Sequence, residues 1–326
     1  MKKLLLAFIL LMGGTSLAQA ACTMTPTSAV LSLGSPTSFA INTTPNTVTT
    51  TVMLDCGAGL VVLLGTDYVK VQLTAATFSA NSTQAALGRG TDRIPLELCT
   101  DATCSNGIVT LNGPGNTLDK NTLLDLLGLL AGFKFPITLY IRTVPGAVIA
   151  AGNYTVTLSV LFTYDICTSI SLLGGCLLNF KQTGAITVPI TLNMLVEKDC
   201  TTITAPGIDF GSAPLVNSFV KVSQSINVIC TKDSVYSVGI SNGEHAEGNQ
   251  RYMTSGSNRL AYQIFKGSGT TYWGPNGGDR VASTLASAVS ADGLTKTFNY
   301  NALILTNQQT PLAGSYKDTV TVDLSF

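Results

Sequence analysis

The 326-residue chain carries eighteen basic and eighteen acidic side chains; charged residues make up 11% of it and hydrophobic ones 45%. That balance offers no basic field to a nucleic-acid backbone, and the abundance of Gly, Thr, Ser and Asn favours strands joined by tight polar turns over helices. A chain of this length can bury two ordinary cores.

Lys2 and Lys3 precede an apolar run from Leu4 to Met12, and Ala18-Gln19-Ala20 has the small-x-small form that a signal peptidase cuts. Residues 1–20 therefore read as a signal peptide, with the mature chain starting at Ala21. Gln19 stands where a lipid-attachment signal wants Leu, which argues against acylation of Cys22. Losing Lys2 and Lys3 leaves sixteen basic against eighteen acidic side chains, a net charge of about −2. No later stretch reaches the roughly 18–20 apolar residues of a membrane helix. All eight cysteines lie beyond the leader, in a chain marked for an oxidising compartment, so disulfides are expected.

Two halves of the chain repeat one another. The span from Cys22 to Cys56 corresponds to that from Cys200 to Cys230, and Arg93-Ile94-Pro95-Leu96-Glu97-Leu98 echoes Arg259-Leu260-Ala261-Tyr262-Gln263-Ile264. The segment Ala151–Val160 matches Ala313–Val322, each a Gly turn followed by the period-2 alternation of a strand with one buried face. The repeat predicts two all-β domains, 21–197 and 198–326. It also pairs Cys22 with Cys56 and Cys200 with Cys230; proximity pairs Cys99 with Cys104 and Cys167 with Cys176.

One difference separates the halves. The first continues through Ile186, Val188, Ile190, Leu192, Met194 and Val196, an additional alternating strand, whereas the second stops at Val320, Val322, Leu324 and Phe326. The first domain is expected to complete itself, and the second to keep an open groove and an unpaired edge that another chain's strand could fill. Cys22 is the second residue of the expected mature chain, which leaves no alternating segment ahead of the first domain. On this reading the chain accepts a strand and donates none, as the last subunit of a linear assembly does.

Residues 200–326 resemble the spore coat protein U domain, as in subunits of archaic chaperone-usher (Csu-type) pili. The resemblance rests on Ile208-Asp209-Phe210-Gly211, Cys230-Thr231, Tyr236–Ser241, Gly248-Asn249-Gln250-Arg251-Tyr252-Met253, Leu260–Phe265, Trp273-Gly274 and the final Ala313-Gly314-Ser315-Tyr316 strand. The first half lacks the Trp-Gly and Arg-Tyr-Met elements. The resemblance implies immunoglobulin-like β-sandwiches, the C-terminal one incomplete and completed by a donor strand or a chaperone. It further implies a periplasmic chaperone holding the groove through Val320, Val322, Leu324 and Phe326, an outer-membrane usher, and a next pilin subunit supplying the donor strand. Two-domain members of the family look like tip adhesins, which places the chain at a pilus tip outside the cell.

Three apolar segments of the first half are not accounted for by strands and turns. They are Leu60, Val61, Val62, Leu63 and Leu64; Leu123, Leu124, Leu126, Leu127, Leu129 and Leu130; and Ile170, Leu172, Leu173, Leu177 and Leu178. A buried strand, a short helix lidding the core and a packed crossover loop would explain them one by one. Projecting together, they would form an apolar binding surface, and the family's tip adhesins are similar in using hydrophobic loops on dry or plastic-like surfaces, which implies a role in biofilm formation.

Catalysis has little to build on. The single histidine, His245, lies between Glu244 and Glu247 in a polar loop, and no second Cys or His pair matches Cys99 and Cys104 as half a metal site. No nucleophile elbow, phosphate loop or dinucleotide fingerprint occurs, so no enzyme activity, cofactor or metal is expected. Alternative readings are a lectin-like tip, which the first half supports poorly because it has no Trp, and a structural spore-coat or pilus-shaft protein.

Overall fold

Period-2 alternation becomes strand along most of the chain. A computed structural model describes residues 21–57, 63–127, 134–168, 176 and 180–326, with residues 124–127 described through their backbone. The described chain is almost entirely β and divides into two compact units. One runs to Gly34 and takes in Thr43–Ala147 and Asn153–Leu195; the other comprises Ser35–Asn42, Val148–Gly152 and Val196–Phe326. The boundary read near Lys198 thus lies at Val196. Two short pieces of the first half count with the second unit, where bridges join Thr37 to Glu197 and Ala150 to Lys232.

The first unit contains β1 (Thr23–Thr25), β2 (Ala29–Ser32), β3 (Thr47–Asp55), β4 (Tyr68–Ala76), β5 (Ser79–Asn81), β6 (Gln84–Arg89) and β7 (Asp92–Cys99). It continues with β8 (Ile108–Val109), β9 (Asn116–Leu118), β10 (Lys134–Thr143), β11 (Gly152–Cys167) and β12 (Lys181–Val196). Their main path runs β1-β3-β10-β7-β6-β11-β12-β2. Strand β7 changes partners halfway: Asp92–Pro95 pair with β6, and Leu96–Cys99 pair with β10. Pro95, with no N–H to give a ladder, sits at that corner, and its carbonyl accepts the Val144 N–H at 2.8 Å.

Strand β12 is the additional strand read from the sequence. Val188, Ile190, Leu192, Met194 and Val196 are all buried and Ile186 is half-buried. At about 2 kcal/mol for each of five side chains, this burial contributes about 10 kcal/mol gross, as much as the whole net stability of an ordinary domain. The unit therefore depends on β12. Tyr154, on β11, donates its hydroxyl to Asp92 Oδ2 at 3.2 Å, and burial with that carboxylate raises its pKa. Tyr154→Phe is expected to cost about 1 kcal/mol, read as a lower urea midpoint with an unchanged slope.

The second unit contains β13 (Cys200–Thr204), β14 (Val222–Cys230), β15 (Ser237–Ile240), β16 (Arg251–Ser255), β17 (Asn258–Lys266), β18 (Val281–Ala282), β19 (Ala288–Val289), β20 (Thr295–Ile304) and β21 (Val322–Ser325). One sheet runs β13-β14-β20-β17-β16 with β19 beside β20, and the other runs β18-β15-β21. Between them Trp273 is fully buried against the rings of Phe298 and Tyr300, its Nε1 donating to the Val238 carbonyl at 2.9 Å. The six-residue helix α1 (Ser38–Thr43) belongs to this unit; Ile41 is buried and Ser38 Oγ lies 2.7 Å from Thr231 Oγ1.

Arg251 is also fully buried. Its guanidinium donates to the carbonyls of Ile240, Ser241 and Trp273 and to Gln263 Oε1, and it stacks over the Tyr272 ring at 5.2 Å. Burial lowers its pKa, but an arginine starts so high that it stays charged.

The four disulfides are Cys22–Cys56, Cys99–Cys104, Cys167–Cys176 and Cys200–Cys230, the pairs read from repeat and proximity. Within the Cys99–Cys104 turn, Asp101 accepts the N–H groups of Thr103 and Gly107 and the Thr103 hydroxyl. These bonds hold its carboxyl below the ordinary range, that of Thr103 foremost.

Candidate functional site

The repeat gives the two units a common frame. In the first, β12 lies in the sheet between β11 and β2, parallel to β2 with Ile190 opposite Ala29 and Leu192 opposite Leu31. In the second, the counterpart of β11 is Ala313–Val322, and among the described residues no strand lies against it in the way β12 lies against β11. β21 pairs with β15, and β13 with β14.

A groove occupies that place. A cavity of about 460 Å3 lies between the segment around Ile208 and Phe210 and the segment Tyr316–Val322, with Ile226, Ile240, Ile264, Tyr262 and Tyr300 also in its wall. A second cavity of about 440 Å3 runs on past Phe219 and Leu312. Both are lined by Ile208, Phe210, Met253 and Tyr316, so they form one groove narrowed at that point. These four side chains, with Val320 and Val322, pack on the core yet stay only partly buried.

The groove is not wholly apolar. Tyr262 donates its hydroxyl to Asp318 Oδ2 at 2.6 Å, and the Glu244 N–H reaches Asp318 Oδ1 at 3.0 Å. Burial foremost, and then Asp318, drives the Tyr262 phenol pKa upward. Tyr300 donates to Gln224 Oε1 at 2.6 Å, and Tyr316 to the Leu312 carbonyl at 2.6 Å.

Of the four C-terminal residues singled out, Val320 and Val322 line the groove. Leu324 packs half-buried on the core within the β15–β21 pair. Phe326 is 63% exposed, with its ring edge-on to Tyr236 at 6.2 Å and the Lys198 ammonium 5.9 Å away.

The apolar segments of the first half divide differently. Leu63 and Leu123 are 2% and 0% exposed, so these two are core residues and not part of a presented surface. Leu123 is buried because Asp119 starts the helix α2 (Lys120–Leu127), accepting the Thr122 N–H at 3.1 Å, and the first turn points Leu123 inward. Leu64 is half-buried. Leu60, Val61, Val62, Leu129, Leu130, Ile170, Leu172, Leu173, Leu177 and Leu178 lie outside the described residues, as do the side chains of Leu124, Leu126 and Leu127.

The roots of all three segments leave the same end of the unit. Lys134 pairs with Asp55, Tyr68 with Asp165, and Val69 with Leu118. Buried Asp67 joins two of the roots, accepting the Leu64 N–H at 2.8 Å and the Cys167 N–H at 3.2 Å, and its burial raises its pKa.

Glu97 stands beside Cys99 and Cys104, but the two sulfurs are bonded to each other and provide no thiolate for a metal. Arg251, Trp273 and the Tyr262–Asp318 pair had no assigned role in the sequence reading. Arg251, Tyr262 and Trp273 stand there within the motifs that carry the family resemblance, and Asp318 only within the repeated segment Ala313–Val322.

The class of protein is a pair of immunoglobulin-like β units, the first with β12 in its sheet and the second with a groove between Ile208–Phe210 and Tyr316–Val322. The spore coat protein U domain model matches residues 10–161 and 186–323, and the chain belongs to that family. Among solved structures it is similar to a chain of the CsuC–CsuE chaperone-tip adhesion subunit pre-assembly complex from archaic chaperone-usher Csu pili of Acinetobacter baumannii. That likeness has 23% identity and a TM-score of 0.54 over 94% of this chain and 100% of that one. The CupB6 tip adhesin from Pseudomonas aeruginosa is a more distant likeness, with 10% identity and a TM-score of 0.36 over 93% and 94%. No curated protein matches the chain.

Proposed function

We propose that the chain is the tip adhesin subunit of an archaic chaperone-usher pilus, joined to the fibre through its second unit and attaching cells through its first. The observation that carries this reading is the groove between Ile208–Phe210 and Tyr316–Val322, placed where the first unit holds its own β12. A donor strand from the next pilin would fill it with alternating side chains and pair with its edges. Before that, a periplasmic chaperone would hold it, and an outer-membrane usher would export the chain to the cell surface. In solution, the chain purified with its chaperone should release that chaperone when a synthetic alternating donor peptide is added. A stable monomer that neither binds a chaperone nor takes up any such peptide would exclude the proposal.

The attachment role rests on the three apolar segments, whose roots converge at one end of the first unit. Their sequences would present hydrocarbon to a surface with no need for a chemical match, at about 2 kcal/mol per buried side chain. Leu124, Leu127 and Leu173 replaced together by Ser should abolish biofilm on polystyrene while leaving export and chaperone binding intact. Undiminished biofilm would show that attachment lies elsewhere.

A further inference from the structure

The two units carry the same strand with one inward residue changed. On β11 the inward face is Tyr154, Val156, Leu158 and Val160, each 1% exposed or less. The repeat aligns them with Tyr316, Asp318, Val320 and Val322, all of which line the groove. A carboxylate therefore stands in the second unit where the first has Val156, and its position is fixed by Tyr262 and by the Glu244 N–H. A carboxylate accepts about four hydrogen bonds, and these partners use one on each oxygen.

An apolar strand laid over Asp318 would strip water from an ionised group and give nothing back, a costly arrangement. Resting on the strand-accepting reading of the groove, we infer that Asp318 selects the incoming strand: its partner carries a hydroxyl side chain, Ser or Thr, at one inward position. Near Val156 the facing part of β12 is set by Thr155 Oγ1 on the Leu192 carbonyl and Thr157 Oγ1 on Thr191 Oγ1, both at 3.1 Å. The hydroxyl thus belongs at the counterpart of Ile190 or Leu192. This arrangement also discriminates against β12 itself, whose inward side chains there are both aliphatic, so copies of the chain do not capture one another's first-unit strand.

The test uses the full-length chain and a labelled peptide of residues 185–196, with Thr placed in turn at the positions of Ile186, Val188, Ile190, Leu192, Met194 and Val196. The peptide with Thr for Ile190 or for Leu192 should bind about tenfold more tightly than the parent, as one added hydrogen bond to a charged group provides, and Thr elsewhere should weaken binding. In Asp318→Val the order should reverse and the parent peptide should bind best. The wild-type series decides by itself: a parent peptide that binds at least as tightly as every Thr variant overturns the selection by Asp318 and leaves the groove reading standing. If no peptide of the series binds, the strand-accepting reading falls and this inference falls with it.

Discussion

Ile190→Asp should unfold the first unit and leave the second intact. Ile190 is fully buried on β12, and truncating such a side chain costs about 2–5 kcal/mol; an unpaired carboxylate in its place adds a desolvation penalty. The sum reaches the net stability of an ordinary domain. Unfolding followed by near-ultraviolet circular dichroism should retain the contribution of Trp273, the chain's one tryptophan, which lies in the second unit. The tyrosine contributions of Tyr154 and Tyr164 should be lost. Ile190→Val, which keeps the shape, should cost only about 1 kcal/mol. If Ile190→Asp leaves the first unit folded, β12 does not complete it.

Arg251→Ala should destabilise the second unit by about 3–5 kcal/mol, the range seen when one partner of a buried charged network is removed. The loss leaves the carbonyls of Ile240, Ser241 and Trp273 and the amide of Gln263 facing a void. Arg251→Lys should recover only part of it, because an ammonium cannot spread its donors over the same plane or stack in the same way on Tyr272. Urea unfolding followed by Trp273 fluorescence reads both variants. An Arg251→Ala midpoint equal to wild type would show that the network is replaceable by water.

Strand β12 was legible because a strand covered on one face and carrying polar residues on the other writes its burial as strict alternation. The repeat supplied a template for the second half, where among the described residues no strand lies against Ala313–Val322 as β12 lies against β11. Other features are hidden from a period. Alternation says which residues of β7 face inward, but not that the strand changes partners at Pro95. The leucine-rich stretch around Leu123 has a helical spacing, yet the capping bond of Asp119 puts Leu123 itself into the core. A buried Arg251 looks in sequence like any polar residue at a strand start, because all its hydrogen-bond acceptors but Gln263 Oε1 are backbone carbonyls that carry no sequence signal.

β11 and β12 are separated by residues 168–180, so the strand that completes the first unit is tied to its own groove. A short tether gives its strand an effective concentration on the order of millimolar, and micromolar peptide in solution does not compete with it. The second unit has no such tethered strand among the described residues, and on the proposed strand-accepting reading its occupancy would follow the concentration of whatever strand is offered. On that reading two homologous grooves in one polypeptide obey different laws: one is closed by chain connectivity at any dilution, and the other would respond to mass action.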